Sequence, residues 1–447
     1  MSNVPFGFGP PEPRDENDDG SDGGAGNGSD DASAASPFEA LFGAGLGQTP
    51  GQPMDLGAAF QQLGQLLSSS TGPVNWKAAT DAAGQLVTAA GDGTPSLGDR
   101  ALVDDALRLA ELWLDDVTLL PPAVTTTAAW SRSQWVSATL PQWKELIEPL
   151  AVRMAEESIR AVPQEMQAMA GPMLSMMQQM SGAMFGMQVG QGLGALAGEV
   201  VGSTDVGIAL APPGTAVLLP VNLAEFGEGL GVSDDQVRLY LALREVAHVR
   251  LFHHAPWLRS AITSAVADYA RGISIDLSGI EGALGGVDPM NPEALNELMS
   301  SGVFEPATTP EQQATLQRLE TLLALIEGWV DVVVDAAASP RLPAAASLRE
   351  SVRRRRATGG PAEATFANLV GLELRPRRSR DAAALWLELG SVHGLQTRDA
   401  IWNHPDLLPA TDDLDDPTAF LERAAGATKP LDVSVFDDLP PSAEPSE

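Results

Sequence analysis

A degenerate metal-binding motif occupies the middle of the chain. Residues 244–248 are Arg-Glu-Val-Ala-His, which departs from His-Glu-x-x-His only at the first position. In the complete motif two histidines one helical turn apart bind zinc, and the glutamate between them acts as general base for the metal-bound water. Arginine stays protonated and cannot coordinate a metal. The segment therefore predicts either a metal site completed from elsewhere in the chain or a buried ion pair.

Three acidic residues further along the chain could complete either arrangement. Glu327, Asp331 and Asp335 are four residues apart in the otherwise apolar segment LLALIEGWVDVVVDAAA. This spacing places them on one face of a helix, and a carboxylate among buried apolar residues needs a cationic partner. That partner could be Arg244, a protonated histidine or a metal ion.

The segment that carries the motif is predicted to be a buried helix. Ser233 and Gln236 form a candidate capping box at its start. Arg244 and His248 then fall on the same stripe as Val237, Leu241 and Leu251, which should face the protein interior. Glu245 lies one step around the helix, on nearly the same side as His248.

Composition restricts the possible chemistry. The chain has 447 residues, of which 44% are hydrophobic, and it has no cysteine and five histidines. Thiolate metal sites and thiol nucleophiles are excluded, so any metal must be held by His, Asp or Glu. The net charge of −32 disfavours binding to nucleic acid and to anionic membrane surfaces.

The distribution of residue types divides the chain into a folded domain and two tails. Residues 1–70 are rich in Gly, Pro, Ser and Asp, and residues 429–447 are acidic, so both are predicted to be disordered. The domain between them, 71–428, comprises N-terminal helices and a hairpin (71–230), then the motif helix and C-terminal helices (231–428). No basic segment precedes an apolar stretch at the N-terminus, so a cytoplasmic location is expected.

Hydrophobic periodicity makes the predicted fold mainly α (α+β). Residues 166–198 carry no charge and begin a series of glycines spaced by four, at 186, 190, 194, 198 and 202. We interpret this segment as a closely packed core helix and not as a membrane span, because glutamines at 178, 179, 188 and 191 interrupt it. The stretch VGIALAPPGTAVLLP at 206–220 predicts a small β-hairpin or sheet.

Several segments together resemble a family of bacterial zincin-like proteins assigned as hydrolases or zinc-dependent metalloproteases, with a sister branch associated with deazaflavin cofactor biosynthesis. The resemblance covers about residues 72–425 and rests on GPVNW (72–76), SRSQWVSATLPQWKELIEPL (131–150), REVAHVRLFHHAPWLR (244–259), IEGWVDVVVDA (326–336), TFANLVGLELRPRRSRDAAALWLE (365–388) and GLQTRDAIWNHPDLLP (394–409).

The resemblance implies a zincin-like helical domain, zinc as cofactor and a peptide or protein as substrate or partner. His248 would be a zinc ligand, Glu245 the catalytic base and Glu327 a downstream ligand. An extended peptide would lie beside the predicted hairpin at 206–220. The sister branch has His-Glu where this chain has Arg244-Glu245, and it tends to have a histidine in place of Trp329.

These departures leave several hypotheses open. In the first, the protein is a zinc-dependent hydrolase, with His253 or His254 as a possible substitute ligand. In the second, Arg244 pairs with Glu327 or Asp331 in place of the metal, and the protein is an inactive binding or scaffold module. The motif residues could also form a core pair with no relation to a zincin site.

A second concentration of charge lies between residues 349 and 380, where arginines cluster in an otherwise acidic chain. They could bind phosphate, nucleic acid or an anionic cofactor, or they could dock the chain's own acidic tails or helices. We favour self-docking because the overall negative charge opposes a polyanion. The candidate anion-binding arginines within the region of resemblance are Arg375, Arg377, Arg378 and Arg380.

Overall fold

A computed structural model describes residues 72–160, 171–273, 309–357 and 378–427. Both predicted tails lie outside these residues, and so do Arg375 and Arg377. The described part is mainly helical with one small sheet, which confirms the predicted fold class. Its elements are α1 (Trp76–Ala89), α2 (Leu97–Leu114), β1 (Thr126–Ala129), α3 (Arg132–Arg160), α4 (Gly171–Glu199), β2 (Thr215–Leu218), α5 (Pro220–Gly227), α6 (Asp234–His254), α7 (Trp257–Arg271), α8 (Pro310–Ala338), α9 (Ala345–Ala357), α10 (Ser379–Ala400), three short 3₁₀ turns (Ile401–Asn403, Pro405–Leu407, Asp412–Leu414) and α11 (Thr418–Ala427).

The glycine series of α4 packs against α1. A Cβ atom added at Gly186 would lie 2.3 Å from the carbonyl oxygen of Asn75, and one added at Gly190 would lie 2.2 Å from that of Ala79. Only a residue without a side chain permits this approach of two helix backbones. None of the helices within the described ranges combines the length and apolar character of a transmembrane span.

The sheet is present, but the predicted hairpin is wrong. β2 pairs in parallel with β1, which lies almost ninety residues earlier in the chain, in the register Thr126 to Thr215. Gly214, with φ of +74°, turns its carbonyl to accept from the N–H groups of Thr125 and Thr126. The two prolines before it lack N–H donors, and the stretch before β2 forms no strand.

Helix α6 lies in the centre of the described fold. Fourteen of its residues between Val237 and Phe252 are buried, on every face and not only on the predicted stripe. Ser233 is its N-cap residue as predicted, but the capping box is wrong because the Ser233 side chain caps no backbone N–H. Gln236 instead accepts a hydrogen bond from the backbone N–H of Ala344, just before α9.

Candidate functional site

Arg244 and His248 meet the acidic stripe of α8 inside the protein. The two terminal nitrogens of Arg244 lie 2.7 Å from Glu327 Oε2 and 2.5 Å from Asp331 Oδ1. His248 Nε2 lies 3.0 Å from Glu327 Oε1, and Nδ1 lies 2.8 Å from the carbonyl oxygen of Arg244. The ion pair between Arg244 and the α8 carboxylates, one of the two arrangements anticipated from sequence, is therefore present.

A second set of arginines, from α9, contacts the same acids. Arg356 Nη1 forms an ion pair with Glu327 Oε1, and Arg353 Nε lies 2.9 Å from Asp331 Oδ2. Arg349 Nη1 lies 2.6 Å from Asp335, the third acid of the stripe. We refer to Arg244, His248, Glu327, Asp331, Arg353 and Arg356 together as the ion-pair cluster.

The α9 arginines were not identified as site residues from sequence, although a signal existed. Residues 349, 353 and 356 follow the four- and three-residue steps of one helix face, and the acids at 327, 331 and 335 lie on one face by successive steps of four. α9 also binds the segment before β2, because Arg355 Nη1 lies 3.0 Å from Asp205 Oδ2. The described arginines of α9 that face the protein therefore dock on its own acids.

The charges of the cluster stabilise one another. Burial alone would raise the pKa of Glu327, but Arg356, His248 and Arg244 outweigh burial and hold the pKa of this carboxyl well below its usual range. Burial opposes the charge on Arg244 in the same way, yet Asp331 and Glu327 keep the pKa of its guanidinium above the usual range. The pKa of Asp331 is likewise lowered, chiefly by Arg244 acting against burial.

Glu245, the predicted catalytic base, points away from the cluster toward the chain around β2. Its carboxylate accepts from the backbone N–H groups of Ser203, Thr204 and Val217, at 3.0 to 3.1 Å. It also accepts from the hydroxyls of Ser203 and Thr204, at 2.5 and 2.6 Å. Burial raises the pKa of Glu245, and these hydrogen bonds oppose the rise.

The surroundings of Glu245 leave little space for a reacting molecule. The residue is 2% exposed, and a Cβ atom added at Gly202 would lie 2.5 Å from its Oε2. With five donors on two oxygens, the carboxylate has most of its acceptor capacity occupied. In this arrangement Glu245 fastens residues 202–204 and β2 to α6.

Three other predicted site residues do not join the cluster. α6 continues through His254, so His253 and His254 lie more than a turn beyond His248; His254 Nε2 lies 2.9 Å from the carbonyl oxygen of Pro121. Trp329 lies two residues past Glu327 and thus on the opposite side of α8. Its indole N–H donates to Asp399 at 3.0 Å in a fully buried position.

The candidate anion patch is only partly described. Arg378 lies 2.6 Å from Asp415 and 3.1 Å from Asp381, so its charge is already matched by carboxylates. Arg380 is exposed on the first turn of α10.

A cleft lies between α6 and the chain that leads into β2. Its volume is about 340 Å³, and its walls include Pro213, Val249 and Phe252, with Ser203, His253 and Arg259 as polar members. The Ser203 hydroxyl bonds to Glu245, so the cleft adjoins the motif. The edge of β2 itself is not available to a peptide, because β1 pairs on one side and Gly202 bridges to Leu218 on the other.

Comparison with known proteins identifies the family of this chain. A family described as zincin-like metallopeptidase matches residues 74–421. The chain belongs to the zincin-like metallopeptidase family. The fold resembles a crystal structure from Chloroflexus aurantiacus described as "a putative hydrolase with a novel fold", with a TM-score of 0.57 and 22% identity over 78% of this chain and 98% of the other. The comparison with curated proteins finds no match.

The zincin-like family implies zinc, but the residues at the motif of this chain do not fit it. Of the positions that match the family's ligands, His248 and Glu327 keep donor side chains, and a guanidinium contacts each oxygen of Glu327. Three arginine side chains around the acids would repel a divalent cation. Across the described ranges, no group of three or more His, Asp or Glu side chains is placed to hold a metal ion.

Proposed function

We propose that this protein is a metal-independent member of the zincin-like family that binds a peptide or protein and does not hydrolyse it. The observation that carries the proposal is the position of Arg244, whose guanidinium bridges Glu327 and Asp331 between α6 and α8. The fixed positive charge of the arginine neutralises these acids in place of a metal ion.

The state of Glu245 supports the same function. A general base must reach the proton that it abstracts, whereas this carboxylate is buried beneath five hydrogen-bond donors. Using it as a base would require residues 202–204 to separate from α6. The geometry favours a structural role, in which Glu245 shapes the wall of the adjoining cleft.

The cleft beside the motif is the proposed binding site. It is concave and largely apolar with a few polar groups, as ligand sites usually are. A peptide is the class of partner favoured by membership of a metallopeptidase family. The site differs from the edge-strand mode expected from sequence, because side chains and not strand pairing would hold the peptide.

Elemental analysis of untagged protein tests the proposal. We expect less than about 0.1 zinc per chain, and no cleavage of a mixed peptide library by mass spectrometry. Arg244→His alone should stay low in zinc, because Arg356 still contacts Glu327. Arg244→His combined with Arg356→Gln should gain zinc, since the second histidine is restored and both guanidiniums on Glu327 are removed.

The control is the same double variant with His248→Ala added, which removes the native histidine ligand and should lose the zinc. About one zinc per chain in the unmodified protein, lost on His248→Ala, would contradict the proposal. Metal-dependent peptide cleavage by the unmodified protein would instead support the hydrolase hypothesis.

A further inference from the structure

Arg259 differs from the other arginines in the interior of the described fold. Arg132, Arg244 and Arg250 each contact at least one carboxylate. Arg259 is half-buried on α7, and its one hydrogen bond, at 3.0 Å, goes to the carbonyl oxygen of Ala209. In the part of the chain that the structure describes, no acidic group pairs with it. In a chain of net charge −32, an unmatched cation at a cleft indicates an anionic ligand.

The lining of the cleft indicates that the ligand must also carry an apolar group. Arg259 and His253 line the cleft together with the apolar side chains of Val249, Phe252 and Pro213, and no carboxylate is among the lining residues. The hydrogen bond to Ala209, itself a lining residue, holds the guanidinium at the wall and leaves its other N–H groups for a ligand. The site thus combines an apolar surface with a cation.

We infer that the cleft binds the C-terminal residue of a peptide or protein whose last side chain is apolar. The side chain would pack against Val249 and Phe252, and the terminal carboxylate would accept hydrogen bonds from Arg259, with His253 as a second donor. A planar guanidinium offers paired N–H groups that match a carboxylate. This inference rests on the proposed function, since it names the part of a peptide that the cleft recognises.

The size of the cleft agrees with a single residue at its centre. Its volume of about 340 Å³ is near the lower end of ligand sites. One large apolar side chain with its carboxylate fits this scale, whereas a long peptide does not. Sequence upstream of the last residue would extend into solvent and contribute little to affinity.

Calorimetric titration of the untagged full-length protein tests the inference with three probes. These are the tetrapeptide Gly-Gly-Ala-Phe as free acid, the same peptide as C-terminal amide, and 3-phenylpropionate. We expect the free acid to bind at least about tenfold more tightly than the amide, because a hydrogen-bonded charge pair is worth about that factor. The peptide acid should also bind more tightly than 3-phenylpropionate, which lacks the peptide bond that precedes the last residue.

Two matched arginine variants on α7 test whether Arg259 causes the preference for the free acid over the amide. Arg259→Gln should remove the difference between acid and amide. Arg271→Gln, at an exposed position paired with Asp268 on the same helix, should preserve it. Thermal unfolding of both variants establishes that they fold.

Three results would overturn the inference: equal binding of acid and amide, an unchanged preference in Arg259→Gln, or no binding of any probe at millimolar concentration. Tighter binding of 3-phenylpropionate than of the peptide acid would assign the cleft to free carboxylic acids and overturn the peptide assignment. Mass spectrometry of the probes after titration keeps this test separate from the proposed function, because cleaved peptide would contradict that function whatever the carboxylate preference.

Discussion

Two buried glutamates near the motif have opposite surroundings. Glu327 on α8 contacts the guanidiniums of Arg244 and Arg356 and the imidazole of His248. Glu245 on α6 accepts only from neutral hydroxyl and backbone N–H groups. The pKa of the first is lowered by its neighbours, whereas burial raises the pKa of the second.

The difference shows how the two residues contribute to the fold. Glu327 joins helices through ion pairs, and its loss leaves the arginines around it without this negative partner. Glu245 joins a helix to a strand through oriented dipoles, and its fit depends on the close approach of Gly202. A motif position alone therefore does not define a catalytic base, because the partners of the carboxylate determine what it can do.

The largest effect is expected at Glu327. Glu327→Gln removes the negative charge shared by Arg244 and Arg356 and leaves buried cations unmatched, so the free energy of unfolding should fall by about 3–5 kcal/mol. Denaturant unfolding at pH 7 measures it. Glu388→Gln, at an exposed position on α10, is the matched control and should change stability by less than about 0.5 kcal/mol. If Glu327→Gln lowered the free energy of unfolding no more than the control does, Glu327 would not stabilise the fold through its ion pairs.

The same variant has a defined dependence on pH. The pKa of Glu327 is lower in the folded protein than its ordinary value of 4.5. Its stabilising contribution is thus fully present above pH 4.5 and is lost as the pH falls toward the folded-state pKa. The stability gap between unmodified protein and Glu327→Gln should narrow as the pH is lowered from 5 to 3. A gap that stays constant would mean that the charge on Glu327 is not what stabilises the fold.

An intermediate effect is expected beside Glu245. Gly202→Ala would place a methyl group 2.5 Å from Glu245 Oε2 and 2.9 Å from the carbonyl oxygen of Val217, which should cost about 1–3 kcal/mol of unfolding free energy through overpacking. Gly198→Ala, in α4, has no atom within 4 Å of the added Cβ. That control should be neutral or stabilising by up to about 1 kcal/mol. Similar values for the two variants would show that Gly202 is not closely packed.

The smallest effect is expected where the cluster reaches the surface. Arg353 lies 2.9 Å from Asp331 but its side chain is 26% exposed, and Asp331 retains Arg244 when Arg353 is lost. Arg353→Gln should therefore lower the free energy of unfolding by only about 1 kcal/mol. Arg354→Gln, at a side chain 73% exposed, is the neighbouring control and should change it less. If Arg353→Gln lowered the free energy of unfolding as much as Glu327→Gln, the α9 arginine would contribute as much to the cluster as Glu327.

Much of the cluster was accessible from sequence. The spacing of Arg244 and His248 placed both on one helix face, and the spacing of Glu327 and Asp331 predicted a face that needed cations. Because helix periodicity is regular, these patterns and the cost of burying an unmatched charge made pairing of the two faces one of the arrangements expected. The arginines of α9 were missed because their contribution depends on how α9 packs against α8.

The surroundings of Glu245 were not accessible from sequence. Its donors come from Ser203, Thr204 and Val217, which share no periodic pattern with the motif. The strand that supplies Val217 pairs with β1, far away in the chain, where a local hairpin was predicted. Local propensity favours short-range pairing and carries no information about a parallel partner, which needs a long connection.

By itself the sequence determined that this protein has a mainly helical zincin-like domain and that a standard zinc site at the motif is compromised. The helical content follows from hydrophobic periodicity, and the zincin-like assignment comes from the resemblance of several segments to that family. The loss of the first ligand follows from the inability of Arg244 to coordinate a metal. Only the tertiary structure decided that Arg244 contacts the acids of α8, that Glu245 is fastened to β2, and that Arg259 lines a cleft where none of the described acids pairs with it. These depend on distances between residues far apart in the chain, which are fixed by packing and not by the order of residues.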